Sequence, residues 1–146
     1  MNKKIFFLSF LLILAAHSAF AQCKECNSFT EALKKPEQVK SLIINSHIHR
    51  ITLDSVPASV GRFINIEILY FTDQNITAIP QEIAGLKKLK ELSFAACKLT
   101  SVPDFIFSMS HLKEILLNDN LFTEEYKKSL EQRFKKELPG VMVSLE

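Results

Sequence analysis

Apolar and polar positions repeat along this chain with a period of 23 residues. Pro57, Pro80 and Pro103 stand at that interval, and a β-branched residue precedes each of them. Columns of apolar residues keep the same interval on both sides of the prolines: Leu53, Ile76 and Leu99; Val60, Ile83 and Ile106; and Phe63, Leu86 and Met109. So many apolar columns in one register indicate an internal repeat, not a chance spacing of prolines.

Each repeat also contains a short segment in which apolar and polar residues alternate. The apolar residues of these segments align as Ile66, Leu69 and Phe71; Leu89, Leu92 and Phe94; and Leu112, Ile115 and Leu117. The alternation predicts a strand whose apolar side chains enter a shared core, while Glu91 and Ser93 face solvent. Each proline then begins a short helical or irregular return segment. Because one repeat cannot bury its apolar face alone, neighbouring repeats must stack.

The combined pattern, L-x-x-L-x-L-x-x-N-x-L-x-x-(V/I)-P-x-x-I-x-x-L, resembles the leucine-rich repeat. The resemblance implies an α/β solenoid with a curved parallel sheet on its concave side and helical or irregular returns on its convex side. It covers residues 39–122 as about four repeats. The family usually has Asn at the corner after each strand, and Cys is also common there. Gln74, Cys97 and Asn120 hold that position here, so Cys97 is predicted to be a small buried corner residue.

The remaining segments predict a leader and two ends. Residues 1–21 have a basic start, an apolar stretch and an Ala-Phe-Ala end, which predicts a signal peptide cleaved after Ala21. Residues 22–38 contain a short helix with Ser28 as its N-cap. The first repeat departs from the frame, and we expect it to be longer by four residues within its segment HIHRITLD.

Residues 123–146 predict a longer closing helix and a final strand. Acidic residues follow Thr123 at the start of the helix, and Pro139 and Gly140 end it. Its apolar stripe consists of Tyr126, Leu130, Phe134 and Leu138. The alternating Val141, Val143 and Leu145 then predict a short strand that covers the open edge of the sheet.

Charge and export limit the classes of partner. The chain has 18 basic and 16 acidic residues, and loss of Lys3 and Lys4 with the leader leaves 16 of each. Without a basic surplus, nucleic acid is not an expected partner. We expect no integral membrane span after cleavage and an exported location, whether periplasmic, cell-surface or extracellular, and the whole layout resembles small exported bacterial leucine-rich repeat proteins.

Two of the three cysteines form a C-x-x-C pair, Cys23 and Cys26, just after the predicted cleavage site. Export favours a disulfide between them, although so small a loop would stabilise the fold little. Lipidation at Cys23 and a small redox protein that uses both thiols are alternatives. The terminal position of the pair argues against the redox alternative.

The titratable residues show no catalytic or metal-binding spacing, so we expect a protein that is not an enzyme and has no cofactor. His47 and His49 would lie on one side of a strand, but no third ligand is evident, and a polar turn in the first repeat is the simpler interpretation. His111 is expected to be solvated.

The concave face provides the candidate site. Its outward positions include Ile43, Ile68, Tyr70, Ser93, Leu116 and Asn118. Apolar and aromatic side chains on a solvent face favour a contact surface for another protein. The functional hypothesis is therefore a non-catalytic exported interaction module of undefined oligomeric state. The alternative is an envelope-associated structural protein, anchored at Cys23, without a specific ligand.

Overall fold

The structure is a computed structural model, and it describes residues 23–146. In this part of the chain six short parallel strands form one sheet. They are β1 (Glu25–Cys26), β2 (Ser41–Asn45), β3 (Ile68–Thr72), β4 (Glu91–Ser93), β5 (Glu114–Leu116) and β6 (Met142–Ser144). Their order in the sheet is their order in the chain, so each connection leads to the neighbouring strand. The predicted signal peptide lies outside the described residues.

The connections return on the other side of the sheet as short 3-10 helices. Within residues 23–146 these are Pro36–Gln38, Ala58–Arg62, Gln81–Gly85 and Asp104–Ser108. Pro57, Pro80 and Pro103 immediately precede the last three, with φ of −62°, −75° and −70°. Because the proline ring holds φ near these values, each proline directs the chain into its return, as the sequence predicted.

The register of the sheet aligns the repeats into a continuous core. Leu42, Leu69, Leu92, Ile115 and Val143 lie side by side across five strands. At the next inward position the rings of Phe71 and Phe94 stack with their centroids 5.5 Å apart. The apolar columns of the 23-residue period are buried, apart from the half-buried Leu53. Stacked repeats thus bury apolar area that one repeat would leave in water.

The first repeat is four residues longer than the others, as expected. Ser41 pairs with Ile68, 27 positions further along, whereas Ile68 pairs with Glu91 at the regular 23. The extra residues form a second short helix, α2 (Ser46–His49), which follows α1 (Phe29–Ala32) in the chain. The side-chain oxygen of its N-cap, Asn45, accepts a hydrogen bond from the His47 N–H at 2.9 Å. His47 and His49 therefore lie on a helical turn and not on a strand.

A left-handed backbone residue marks the corner at the end of each repeat's strand segment. Arg50, Asp73, Ala96 and Asp119 have φ of 52°, 56°, 51° and 57°. They recur every 23 residues because the four extra residues of the first repeat come before its corner. An aspartate tolerates this conformation better than most residues do, whereas alanine gains nothing there.

After Asp73 and Asp119 the next residue, Gln74 or Asn120, closes the corner with its side-chain amide. Asn120 accepts from the Leu99 N–H at 2.9 Å and donates to the Phe94 and Leu117 carbonyls at 2.8 and 2.9 Å. Gln74 accepts from the Leu53 N–H at 2.7 Å, which is the equivalent contact two repeats earlier in the chain. Buried backbone groups need such partners, so these amides hold successive corners together.

Cys97 is buried at the corner between these two, as predicted. Its sulfur lies 3.4 Å from the Phe71 carbonyl and 3.7 Å from the Ala95 carbonyl, so the thiol acts as a weak donor. Burial raises the pKa of the Cys97 thiol to about 11, which keeps it protonated and unreactive at neutral pH. The cysteine is a structural residue.

Helices lie before and after the repeats. Ser28 caps α1, where its hydroxyl accepts from the Glu31 N–H. At the other end α3 (Glu124–Glu137) begins after its N-cap Thr123, and β6 then pairs with β5. Strand β1 was not predicted, because two residues offer no alternation to detect. No helix in the described range is both long and apolar enough to cross a bilayer.

Candidate functional site

The outward positions of the sheet form two central columns on the face turned away from the core, which we call the concave face. One column runs Ile43, Tyr70, Ser93, Leu116 and Ser144 across β2 to β6. The other runs Ser41, Ile68, Glu91, Glu114 and Met142. The predicted concave residues Ile43, Ile68, Tyr70, Ser93 and Leu116 therefore do lie together, and Asn118 follows just beyond the end of β5.

Exposure differs along these columns. Ile43 is 38% exposed, and Ile68, Tyr70 and Leu116 are half-buried. Ser93 was expected to face solvent, but this is wrong, since only 1% of it is exposed. A serine is much smaller than Tyr70 and Leu116, its neighbours in the register, and sits below the level of their side chains. The accessible surface of the column therefore consists of the larger residues.

Tyr70 and Glu91 are joined across neighbouring strands. The tyrosine hydroxyl donates to the Glu91 carboxylate at 2.6 Å. Partial burial of the ring raises the pKa of Tyr70 well above its ordinary value, and the hydrogen bond to Glu91 and the charges of Glu91 and Glu114 raise it further. The tyrosine thus stays a neutral donor, and it fixes the position of the carboxylate.

Glu91 and Glu114 face each other on adjacent strands. Both are half-buried, and within residues 23–146 no cationic group lies within 4.0 Å of either carboxylate. Like charges directly opposite one another in a sheet are destabilising. Strand alternation turns both residues outward, but neither was singled out from the sequence, because a lone Glu in each repeat looks like ordinary surface.

A neighbouring column shows the contrasting, neutralised arrangement. Glu67 lies between Lys40 and Lys90, whose ammonium groups are 3.1 and 2.5 Å from its carboxylate oxygens. The hydrogen bonds and charges of Lys90 and Lys40 hold the pKa of Glu67 below its usual value. Lys90 is therefore engaged by Glu67 and does not compensate Glu91.

Met142 is a further outward residue that the sequence reasoning did not name. It is 65% exposed on β6 and continues the column of Glu91 and Glu114. The alternation of Val141, Val143 and Leu145 was the available signal, because it turns Met142 outward. Ile68 precedes Glu91 in this column and Met142 follows Glu114, so the two carboxylates have an apolar residue on each side.

The polar residues after β2 and β3 contact one another. The Ser46 hydroxyl is hydrogen bonded to Asp73, and His47 Nε2 lies 3.0 Å from the same carboxylate. The serine hydroxyl and the imidazole therefore share one carboxylate. Among the described residues no group of three or more His, Cys, Asp or Glu side chains is arranged to hold a metal ion.

The other two histidines make local structural contacts. His49 Nδ1 lies 2.9 Å from the Asn45 carbonyl and so closes the turn of α2. His111 was expected to be solvated, but it is half-buried, with Nε2 3.1 Å from the Leu86 carbonyl of the preceding repeat. The repeat stacking brings that carbonyl within reach of the imidazole.

Cys23 and Cys26 lie at the start of the described chain. Their Cα atoms are 5.2 Å apart, a separation that a disulfide allows. Cys26 is buried against the core and Cys23 packs beside it. A pair held in this way serves to close the terminus against β2.

A parallel sheet of stacked 23-residue units with 3-10 returns defines a repeat solenoid. The amide and thiol side chains at its corners and the L-x-x-L-x-L strands then specify the type: the chain has the leucine-rich repeat fold. Among solved structures it is similar to a leucine-rich repeat protein of Leptospira interrogans, LIC12759, with a TM-score of 0.66 and 22% sequence identity. That match covers 82% of this chain and 28% of the Leptospira chain. No protein-family model and no curated protein matches this sequence.

Proposed function

We propose that this chain is a non-catalytic protein-interaction module that presents its concave face to another protein. The observation that carries the proposal is the column Ile43, Tyr70 and Leu116, in which apolar and aromatic side chains stay accessible on a face that the fold does not need to cover. Such residues on an exposed sheet face are typical of contact surfaces.

Rigidity supports the same proposal. Each strand is hydrogen bonded to its neighbours, and the corner amides of Gln74 and Asn120 hold successive repeats. A surface built in this way is ordered before a partner arrives, so association loses less conformational entropy than it would on a loop.

We further propose that the chain is exported and acts outside the cytoplasm. The layout of residues 1–21 and the Cys23–Cys26 pair support this location, since paired cysteines persist in oxidising compartments. Intact mass of the exported chain tests it. Cleavage after Ala21 with a disulfide is expected, whereas an acylated Cys23 would favour the anchored structural protein instead.

The experiment for the interaction is capture by cross-linking from the native envelope or medium, with the double variant Tyr70→Arg and Leu116→Arg. We expect this variant to lose the partner, because two charges then occupy the centre of the face. The matched control changes exposed apolar residues elsewhere, Ile64→Arg and Leu121→Arg, and should retain the partner. If the double variant folds as the parent chain does and still recovers the same partner, the concave face is not the site.

A further inference from the structure

Two carboxylates lie at the centre of an apolar surround on the concave face. Glu91 and Glu114 are neighbours across β4 and β5, and the same column continues to Ile68 on one side and to Met142 on the other. In the adjacent column Tyr70 and Leu116 flank them. The face is therefore neither a plain apolar patch nor a plain acidic one.

The fold gains nothing from placing these two charges opposite each other. The two side chains are directly opposite in a parallel register, where like charges repel, and both are partly withdrawn from water. In the described part of the chain neither has a cation within 4.0 Å, although Glu67 on the neighbouring column has two. An uncompensated charge in a partly apolar environment is costly, and a cation supplied from outside would remove that cost.

The spacing of the two carboxylates suits a guanidinium group better than other cations. Adjacent strands are about 4.8 Å apart, so a single planar guanidinium can reach both carboxylates with its fork of N–H donors. The hydroxyl of Tyr70 already holds the Glu91 carboxylate at 2.6 Å, so that acceptor is positioned in advance. The apolar residues around the pair offer contact to the aliphatic stem of the cationic side chain and to its apolar neighbours.

We propose that the partner of the concave face is a protein segment that places an arginine, or less favourably a lysine, between apolar side chains, with the cation bridging Glu91 and Glu114. The inference rests on the proposed function and names the chemistry of its partner. Charge complementarity between the cation and the two carboxylates determines which segment binds. The apolar contacts around the carboxylates exclude water.

The test uses the purified full chain and a random peptide library displayed on phage as the probe. Peptides that require the face are first identified by their loss in the variant Tyr70→Arg and Leu116→Arg. Among them we expect enrichment of sequences with a basic residue flanked by apolar ones. Replacing that residue by Gln should weaken binding about tenfold or more, and raising NaCl should weaken the parent peptide.

The charge variants separate binding from folding. Glu91→Gln with Glu114→Gln should weaken the selected peptides about tenfold or more. The amide oxygen of Gln can still accept from the Tyr70 hydroxyl, and the change removes a repulsion. The chain should therefore unfold at equal or higher urea concentration, so loss of binding cannot be ascribed to loss of fold. The matched control, Glu82→Gln with Glu125→Gln, removes two exposed carboxylates elsewhere and should leave affinity within about twofold.

Distinct results overturn the two proposals. Peptides that need Tyr70 and Leu116 but lack a basic residue, or that bind the Glu91→Gln and Glu114→Gln variant as tightly as the parent, refute the cationic partner and leave the interaction module standing. A concave face that is instead occupied by a second copy of this chain, seen as a dimer that the same variant dissociates, also refutes it. If no peptide depends on Tyr70 and Leu116, both proposals fail.

Discussion

The corner amides offer the most quantitative test of how this solenoid is held together. Asn120 and Cys97 occupy the same corner position in consecutive repeats, yet only Asn120 has a carbonyl oxygen in its side chain. We consider two substitutions in opposite directions: Asn120→Ala removes the amide from one corner, and Cys97→Asn adds one to the other.

The contacts of Asn120 determine the cost of removing it. Its amide accepts from the Leu99 N–H at 2.9 Å and donates to the Phe94 and Leu117 carbonyls at 2.8 and 2.9 Å. A buried group left unsatisfied costs about 1–3 kcal/mol, but a carbonyl that loses one of several donors costs less. Since Asn120 is half-buried and water can replace part of its contacts, we expect Asn120→Ala to lower the free energy of unfolding by about 2–3 kcal/mol.

The gain from Cys97→Asn follows from the spacing of the repeat. Asn120 and Gln74 each accept from an N–H 21 residues earlier, that of Leu99 and Leu53 respectively. The same step from position 97 reaches the N–H of Ile76. A new amide there has the Phe71 carbonyl as acceptor, and Cys97 lines an open surface pocket of about 270 Å³. We expect Cys97→Asn to raise the free energy of unfolding by about 1 kcal/mol.

Equilibrium unfolding in urea, followed by far-ultraviolet circular dichroism, measures both effects. The control is Asn118→Ala, two residues before Asn120, whose side-chain nitrogen bonds only the exposed Asp119 carboxylate and should change stability by less than about 0.5 kcal/mol. Unchanged stability in Asn120→Ala would refute the role assigned to the corner amide. A destabilised Cys97→Asn chain would show that packing of the thiol matters more than the missing acceptor.

Two further predictions concern single residues. Ala96 has a left-handed φ of 51°, so Ala96→Gly should raise the free energy of unfolding by about 0.5–1 kcal/mol, while the same change at Ala58, in a 3-10 return, should lower it. Tyr70 has a raised pKa, so one of the two tyrosines should fail to ionise near pH 10 in a titration followed by ultraviolet absorbance, and Tyr70→Phe should remove this delayed step. Because the folded pKa is raised, the stability due to Tyr70 is complete below pH 10 and is lost as pH rises above it. A normal two-tyrosine titration would contradict the buried hydrogen bond to Glu91.

Most of the fold follows from the sequence because the core is repetitive. Leu69, Leu92 and Ile115 are all buried in the same layer of the core. The repeat therefore shows the same apolar pattern three times. The longer first repeat was also predictable, since its apolar residues resume the frame after the insertion. Strand β1 was not, because Glu25 and Cys26 become a strand only through their pairing with β2.

The site was predictable only in part, and for a related reason. Exposure depends on the size of the neighbours as well as on the direction of the side chain, so Ser93 points outward and is nevertheless covered. The pairing of Glu91 with Tyr70 and with Glu114 joins residues that are 21 and 23 positions apart, as the register of the finished sheet dictates. A single repeat does not show whether its glutamate has a counterion.

The contrast between inward and outward columns also indicates where function lies. At the inward positions nearly every repeat has the same kind of residue, because the fold requires it. At the outward positions Ile43, Tyr70, Ser93 and Leu116 differ in size, polarity and hydrogen bonding, although the backbone beneath them is the same. The fold therefore does not determine which residues occupy these positions, whereas contact with a partner can determine them. Glu91 and Glu114 repel each other, and this repulsion slightly lowers the stability of the fold. A cationic partner is the simplest addition that replaces the repulsion by attraction.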